Sequence, residues 1–335
     1  MSSAGPRAAN GARLGEVGRI QTLLAPLATS PGALGLTDDA ALIDPPAGSE
    51  LVTTVDAMIE GVHFLPDDPP DLVARKLMRV NLSDLASMAA KPLGYLLTLG
   101  LPSRCGDDWV ERFAQGLAID QQAFGMTLLG GDSVSTPGPI SLTLTAIGYV
   151  MRGRAVRRAG AKPGDLVFVS GTIGDGALGL LAATGRLPDL DAAAWGWLAD
   201  RYRLPRPRCV LGQALGAHAA AMIDVSDGLV ADLGHITAAS GVGAVLDAAK
   251  VPLSEAAMAV LARDPGQLAT VLTGGDDYEL LFAASPEQAE PIRRLAHSLG
   301  VAVAEIGRIE TGRGVRVLDE KGAVIPLDRP GWQHC

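Results

Sequence analysis

Residues 220–230 read Ala-Ala-Met-Ile-Asp-Val-Ser-Asp-Gly-Leu-Val, an apolar run that gives way to an acidic, glycine-marked turn. The short apolar run predicts a buried strand over Ala220–Ile223. The spacing of the apolar residues that follow predicts a helix starting at Asp227. Ser226 or Asp227 would cap this helix, or the acidic side chains would bind a ligand, and this stretch alone leaves both open. A strand, a turn and a helix in this order are typical of an α/β chain.

Similar acidic stretches recur along the chain, most of them with an aspartate beside glycine, serine or a second aspartate. They are Asp38-Asp39, Asp56, Asp84, Gly131-Asp132, Asp224–Asp227 and Asp276-Asp277. Most follow an apolar stretch, which predicts that they lie where a strand ends. Two carboxylates in close contact repel each other by about 4 kcal/mol at an effective dielectric constant near 20, so a cluster of them predicts a bound cation. Oxygen ligands favour Mg²⁺, which in an α/β enzyme usually accompanies a nucleotide.

The composition indicates a compact globular protein. The 335 residues are enough for two domains of ordinary size, and 48% of them are hydrophobic. No apolar run reaches the roughly 18 residues of a membrane span, and no secretion signal is evident at the N-terminus. The three cysteines are far apart and odd in number, which argues against a disulfide framework. We therefore expect a cytoplasmic protein without a membrane segment.

The net charge of −9 argues against a nucleic-acid-binding surface, because such a surface needs a basic patch. An acidic site also repels any polyphosphate ligand. A divalent metal between carboxylate and phosphate resolves this conflict.

The order of the predicted elements gives two α/β halves. In the first half, the predicted strands are Leu51–Asp56, Leu93–Gly100, Met126–Gly130 and Ile140–Val150, and the predicted helices are Asp71–Ala90 and Asp107–Phe124. A basic stretch over Arg152–Gly164 indicates a domain boundary, after which the alternation resumes with a strand over Asp165–Ser170. We predict a flexible N-terminus over 1–13, an N-terminal domain over 14–151 and a C-terminal domain over 152–335.

The segment Gly174-Asp-Gly176-Ala-Leu-Gly179 has the glycine spacing of a dinucleotide-binding turn. A second strand with an acidic ribose ligand does not follow promptly, as a dinucleotide site requires. We therefore interpret the segment as a tight strand-to-helix turn that brings backbone amides close to another group, with NAD binding as the alternative. His63 and Arg158 are candidate phosphate ligands, although each also has an ordinary structural interpretation.

Seven motifs resemble, in order and spacing, those of the thiamine-monophosphate kinase family from about residue 14 to the C-terminus. They are Thr37–Leu42, Gly61–Phe64, Asn81–Ala90, Gly130–Asp132, Arg158–Asp165, Ile223–Leu229 and Gly274–Leu280. The resemblance implies an α/β (α+β) chain with the two-domain, PurM-like fold of the aminoimidazole ribonucleotide synthetase superfamily. It also implies a homodimer whose N-terminal sheets associate.

The activity that the resemblance implies is ATP-dependent phosphorylation of thiamine monophosphate to thiamine diphosphate, with several Mg²⁺ ions and with a dependence on K⁺ left open. The implied Mg²⁺ ligands are Asp39, Thr54, Val55, Asp56, Asp84, Asp132, Asp224 and Asp227. The implied ATP contacts are Gly131, Asp132, Arg158 and Ser226, and the implied thiamine phosphate contacts are His63, Asp276 and Trp332. The catalytic set is Asp84, Asp132, Asp227 and Arg158.

Three positions depart from the family pattern. Thr37 replaces the usual glycine before the acidic pair, and Asp276 stands where glutamate is common. Val55 replaces a hydroxyl residue, so only its backbone carbonyl is left for a metal. Two alternatives are another ATP-dependent synthetase of the superfamily and a non-enzymatic acidic metal-binding module. Selenophosphate synthetase is disfavoured, because no cysteine precedes Cys105.

Overall fold

The structure is a computed structural model that describes residues 14–187 and 189–332, so the segment 1–13, predicted to be flexible, lies outside the described residues. The α-helices are α1 (Glu16–Arg19), α2 (Pro70–Ser87), α3 (Asp107–Phe124), α4 (Asp175–Ala183), α5 (Ala192–Arg203), α6 (Cys209–Leu215), α7 (Leu229–Ser240), α8 (Glu255–Arg263), α9 (Leu268–Thr273) and α10 (Ala289–Ser298). The strands are β1 (Ser49–Ile59), β2 (Lys91–Leu101), β3 (Leu128–Ser135), β4 (Ser141–Met151), β5 (Leu166–Ser170), β6 (Ala221–Asp224), β7 (Gly243–Asp247), β8 (Leu280–Ala284), β9 (Val303–Glu310) and β10 (Gly314–Leu318).

The first four strands form one sheet in the order β1-β4-β2-β3. Strands β2 and β3 are parallel, and Leu97 lies opposite Gly131 in the register. A Cβ atom at position 131 would lie 1.8 Å from the carbonyl oxygen of Leu97. Glycine is therefore required at position 131, next to the predicted metal ligand Asp132.

The other six strands form a mixed sheet in the order β10-β7-β9-β5-β8-β6. Strand β8 lies between β5 and β6 and is antiparallel to both. Its five residues are all buried, as expected for a central strand with both faces covered. Because β5 and β6 run in the same direction, their C-terminal ends meet the start of β8 at one edge of the sheet. The turns after β5 and β6 and the segment before β8 therefore converge.

Contacts divide the chain into two compact units. One contains residues 56–77 and 94–145 together with the chain before residue 45, and the other contains 45–55, 78–93 and the chain from residue 146 onward. This division passes through β1, α2 and β2 and gives no boundary that is continuous in sequence. The domain ranges 14–151 and 152–335 therefore stay a prediction.

The prediction that the aspartates lie where strands end is right for Asp224, the last residue of β6. It is wrong for Asp56 and Asp132, which lie inside β1 and β3. Strand β3 continues past Asp132 because its residues keep pairing with β2 as far as Ser135. Helix α7 begins at Leu229, two residues after the predicted start. Within the part of the chain that the structure describes, no helix is long and apolar enough to cross a membrane.

Candidate active site

His63 lies in the turn that follows β1. Its Nδ1 atom accepts a hydrogen bond from the backbone N–H of Ile59 at 3.0 Å, so in this arrangement the proton is on Nε2. The buried Lys76 donates to the carbonyl oxygen of His63 at 3.1 Å. The turn is therefore held from two sides, and the ring is half-buried. This is a fixed position from which an imidazole can donate to an anion.

Asp39 and Asp132, in the same compact unit as His63, are both exposed. Asp39 follows a short 3₁₀ helix over Pro31–Leu36. Thr37, which replaces the family's glycine, has φ −108° and donates its hydroxyl to Leu34 at 2.7 Å. A threonine adopts this backbone conformation without strain, so the departure leaves the acidic pair in place.

Thr54, Asp84 and Arg158 come together in the second unit although they are far apart in the sequence. The Thr54 hydroxyl donates to the Asp84 carboxylate at 2.5 Å. Burial raises the pKa of Asp84 above its ordinary value, while the Thr54 hydroxyl and the positive charge of Arg158 oppose this rise. A carboxylate inside a helix needs such partners, and a bound cation would favour its charged form further.

The segment that carries Arg158 runs beside β6. The backbone N–H of Met222 donates to the carbonyl oxygen of Arg157 at 2.9 Å. Strand β6 then ends at Asp224, of which only 3% is exposed. A nearly buried aspartate at the end of this strand is a suitable metal ligand.

The turn between β6 and α7, residues 225–228, has its backbone polar groups fully hydrogen-bonded. The N–H groups of Ser226, Asp227 and Gly228 each donate to the same oxygen, Oδ2 of Asp232, at 3.1 Å. Val225 exchanges hydrogen bonds with the backbone of residues 278 and 279. The side chains of Ser226 and Asp227 make no hydrogen bond with the described residues, and they remain available for a ligand.

Both C-terminal residues predicted to contact the substrate are bonded to this turn. The N–H of Asp276 donates to the carbonyl oxygen of Ser226 at 3.0 Å, and the N–H of Trp332 donates to that of Asp227 at 2.8 Å. The segment that carries Trp332 packs closely against α7, since a Cβ atom at Gly331 would lie 2.4 Å from the Cβ of Ala231 in that helix. One backbone hydrogen bond therefore links the predicted nucleotide contact Ser226 to Asp276, and another links the predicted metal ligand Asp227 to Trp332.

The backbone before β8 is strained. Asp276 and Tyr278 have φ values of +71° and +52°, which side chains other than glycine rarely adopt. The Tyr278 hydroxyl donates to the Asp276 carboxylate at 3.2 Å. Strain of this kind persists where the surrounding structure imposes it and is common at functional sites.

A cleft of about 700 Å³ opens beside the turn, and its lining includes Asp227, His235, Val315 and Trp332. Asp227, Asp232 and His235 each offer one ligand atom, and these atoms lie within 4.8 Å of one another. Burial, followed by the charge of Asp227, raises the pKa of Asp232 to about 7. Asp232 and His235 were not among the site residues predicted from the sequence. The available signal was an aspartate in the apolar first turn of α7, with the histidine three residues further along the same helix face.

The glycine-rich segment over 174–179 forms a tight strand-to-helix turn, which confirms the interpretation made from its sequence. Gly174 has φ +88°, and helix α4 begins at the next residue. The carboxylate of Asp277 accepts the N–H groups of Gly174 and Gly176 at 2.8 and 2.9 Å. These are amides that a dinucleotide phosphate would need. After α4 the chain continues into α5 and α6 and not into a strand, so the NAD alternative has no support.

Comparison with known proteins identifies two family domains. The family described as AIR synthase related protein, N-terminal domain, matches residues 37–150. The corresponding C-terminal domain matches residues 162–320.

Individual relatives cover most of the chain. The thiamine-monophosphate kinase of Caulobacter vibrioides is 47% identical over 95% of this chain and 90% of its own length. A crystal structure of thiamine-monophosphate kinase from Stenotrophomonas maltophilia is 44% identical, with a TM-score of 0.78, and covers 84% of this chain and 89% of its own. A structure described as AaThiL complexed with AMPPCP and TMP is 32% identical, with a TM-score of 0.77, and covers 89% of this chain and 91% of its own.

Proposed function

The chain belongs to the thiamine-monophosphate kinase family, and we propose that it transfers the γ-phosphate of ATP to thiamine monophosphate, giving thiamine diphosphate and ADP. The observation that carries this function is the relative of the same fold whose structure holds AMPPCP and TMP. The geometry of the second unit agrees with it. The backbones of Ser226 and Asp227 are hydrogen-bonded to those of Asp276 and Trp332.

The chemistry requires no general base. The acceptor is a phosphate whose second pKa is near 6, so it is already an anionic nucleophile at neutral pH. The obstacle is to bring two anionic groups into line, and catalysis is then mainly positioning and neutralisation of charge. Arg158 would neutralise charge on the transferred phosphoryl group. Ser226 would bind the nucleotide through its hydroxyl, because its backbone N–H and carbonyl groups are already hydrogen-bonded.

Mg²⁺ fits the donor set, because its oxygen ligands include Asp224, which is nearly buried, and Asp84, whose pKa is raised by burial. Bound Mg²⁺ would neutralise the charge of the polyphosphate. The proposed ligands are the eight positions that the family resemblance gives: Asp39, Thr54, the carbonyl of Val55, Asp56, Asp84, Asp132, Asp224 and Asp227. His63, Asp276 and Trp332 are the proposed contacts of thiamine monophosphate, and Gly131 is a proposed ATP contact. Varying the K⁺ concentration in the assay tests whether the reaction requires K⁺.

A homodimer in the cytoplasm is also part of the proposal. Strand β1 exposes apolar side chains at alternating positions, with Leu51 at 43% and Val55 at 58% exposure. An exposed apolar strand face is typical of a protein–protein interface. Sedimentation analysis should give a dimer, and Leu51→Lys should shift it towards the monomer. A wild-type protein that sediments as a monomer contradicts the proposal.

Purified protein with ATP, Mg²⁺ and thiamine monophosphate should form thiamine diphosphate, and Asp84→Asn should abolish turnover while the protein stays folded. Folded wild-type protein that binds ATP and yields no product would refute the function. Direct in-line transfer predicts inversion at a chiral γ-phosphorus. Retention of configuration would indicate a phosphoenzyme intermediate instead.

A further inference from the structure

We propose that Asp232 is a positioning residue, which holds the metal ligand Asp227 and the nucleotide contact Ser226 in place by binding their backbone amides. The inference rests on the proposed function, in which both side chains bind the metal–nucleotide complex. Asp232 is not among the residues implied by the family resemblance. Its role follows from the hydrogen bonds of the turn over 225–228.

The backbone of the turn forms an anion-binding concavity, and the carboxylate of Asp232 occupies it. Three consecutive N–H groups, those of Ser226, Asp227 and Gly228, converge on Oδ2 of Asp232 at 3.1 Å each. Only 1% of Asp232 is exposed, so the interaction is shielded from water. Successive amides in such a turn create a strong local positive potential. One carboxylate therefore fixes three residues of the turn at once.

Asp232 occupies the amides of the turn and so keeps other anions away from them. Without Asp232, the three amides would attract either the Asp227 carboxylate or a nucleotide phosphate, and both belong at other places in the proposed site. With the amides occupied by Asp232, the side chain of Asp227 is left to line the cleft. The backbone N–H of Asp232 also donates to Gly228 at 3.0 Å, so the carboxylate is held by the first turn of α7.

The carbonyl groups of the turn connect the position of the turn to the two proposed substrate contacts. Ser226 and Asp227 accept from the N–H groups of Asp276 and Trp332. A displaced turn would therefore move a metal ligand and two substrate contacts together. Asp232 acts through these residues and not by touching the substrate.

The main experiment compares Asp232→Asn with the wild-type enzyme. Asparagine keeps the size and one acceptor oxygen but removes the charge. The probe is the β,γ-methylene analogue of ATP, titrated at a series of Mg²⁺ concentrations with melting temperature recorded in parallel. We expect the Mg²⁺ concentration for half-maximal binding to rise about tenfold or more, the usual loss when a residue that orients a metal ligand is replaced. An unchanged Mg²⁺ dependence would overturn the proposal.

Ser254→Ala is the matched control for general destabilisation. Ser254 caps α8 and donates to Asp175, away from the turn, and it is also nearly buried. We expect this variant to melt earlier than the wild type while its Mg²⁺ half-saturation stays within about twofold of it. If Asp232→Asn behaves in the same way as Ser254→Ala, Asp232 has a structural role only.

A double variant tests whether Asp232 acts through Asp227. Asp227→Asn with Asp232→Asn should need no more Mg²⁺ for half-maximal binding of the analogue than Asp227→Asn alone, because the metal ligand that Asp232 positions is already lost. Effects that multiply would contradict the proposal. If Asp232→Asn does not fold, Asp232→Glu keeps the charge and displaces the oxygen, and a wild-type Mg²⁺ dependence in that variant also contradicts it. The binding measurements use the ATP analogue and Mg²⁺ without thiamine monophosphate. A wild type that makes no thiamine diphosphate would therefore refute the proposed function without deciding the role of Asp232.

Discussion

Two strand-to-helix turns in the second unit share an arrangement of backbone hydrogen bonds but use their side chains differently. One follows β5 and leads into α4, and the other follows β6 and leads into α7. In both, converging amides bind an aspartate carboxylate of the same chain, Asp277 in the first and Asp232 in the second. The two turns lie at the same sheet edge because β5 and β6 flank β8 and run in the same direction.

The side chains of the two turns differ. In the β5–α4 turn, the carboxylate of Asp175 accepts from Thr172, Trp197 and Ser254, so its capacity is used inside the protein. In the β6–α7 turn, the side chains of Ser226 and Asp227 make no hydrogen bond with the described residues, and Asp227 lines the cleft. We call the first turn closed, because its carboxylate is bound inside the protein, and the second open, because Asp227 faces the cleft. Glycine spacing alone does not distinguish them.

A buried network of charged side chains lies next to the closed turn. It is centred on Glu279, two residues after Asp277. The Glu279 carboxylate accepts two hydrogen bonds of 2.6 Å from Arg208 and one of 3.1 Å from Arg201. Burial raises the pKa of Asp277, while the amides of Gly174 and Gly176 oppose the rise. Removing a single partner from such a network leaves a buried charge or amide unpaired, which is costly.

The largest expected effect on activity is at the open turn. Asp227→Asn should lower kcat/KM by about 10³-fold, or about 4 kcal/mol of transition-state stabilisation, because a proposed metal ligand is lost. The melting temperature should stay close to that of the wild type, since the Asp227 side chain makes no hydrogen bond with the described residues. Steady-state kinetics and calorimetry together measure both. A stable variant with full activity would show that the open turn presents no ligand.

The closed turn should respond in the opposite way. Asp277→Ala leaves two buried N–H groups unpaired and should cost about 3 kcal/mol in the free energy of unfolding. Denaturant titration measures the loss. Asp191→Ala is the control, because Asp191 caps α5 with one N–H at a more exposed position and should cost about 1 kcal/mol. Equal costs for the two variants would remove the distinction between a buried turn and an ordinary helix cap.

The C-terminal contact of the open turn can be moved without removing a polar group. Gly331→Ala places a methyl group 2.4 Å from Ala231 and 2.6 Å from the carbonyl oxygen of Asp227, so the segment that carries Trp332 must shift. The KM for thiamine monophosphate should rise about tenfold, or about 1.4 kcal/mol. Gly196→Ala, which meets no atom within 4 Å, is the control and should leave this KM unchanged. A normal KM in Gly331→Ala would separate Trp332 from substrate binding.

The smallest expected effect concerns the hydroxyl of Ser226. Ser226→Ala keeps the backbone hydrogen bonds of the turn and removes only the side-chain donor. The KM for ATP should rise about fivefold, or about 1 kcal/mol, as expected for one hydrogen bond. The KM for thiamine monophosphate should not change. A rise confined to thiamine monophosphate would place the hydroxyl on the acceptor and not on the nucleotide.

Much of the fold follows from the sequence. The alternation of apolar runs and helical patterns predicts the strands and helices around both turns, and the order of the seven motifs predicts the family. Helix α7 was predicted two residues early because Ser226 and Asp227 resemble helix caps, whereas their amides bind a carboxylate further along the chain. The predicted ends of β1 and β3 were also too early. In β3 the carboxylate of Asp132 lies inside the strand because the pairing with β2 continues past it.

The sequence by itself determined which side chains are available: a set of aspartates without neighbouring lysines, arranged in the motifs of one kinase family. Only the tertiary structure decided which of them use their carboxylates in hydrogen bonds inside the protein, as Asp277 and Asp232 do, and which line the cleft, as Asp227 does. Asp277 lies 103 residues from the Gly174 amide that it accepts, and Thr54 lies 30 residues from Asp84. A hydrogen bond depends on distance and direction in space, and no local pattern encodes either across such separations.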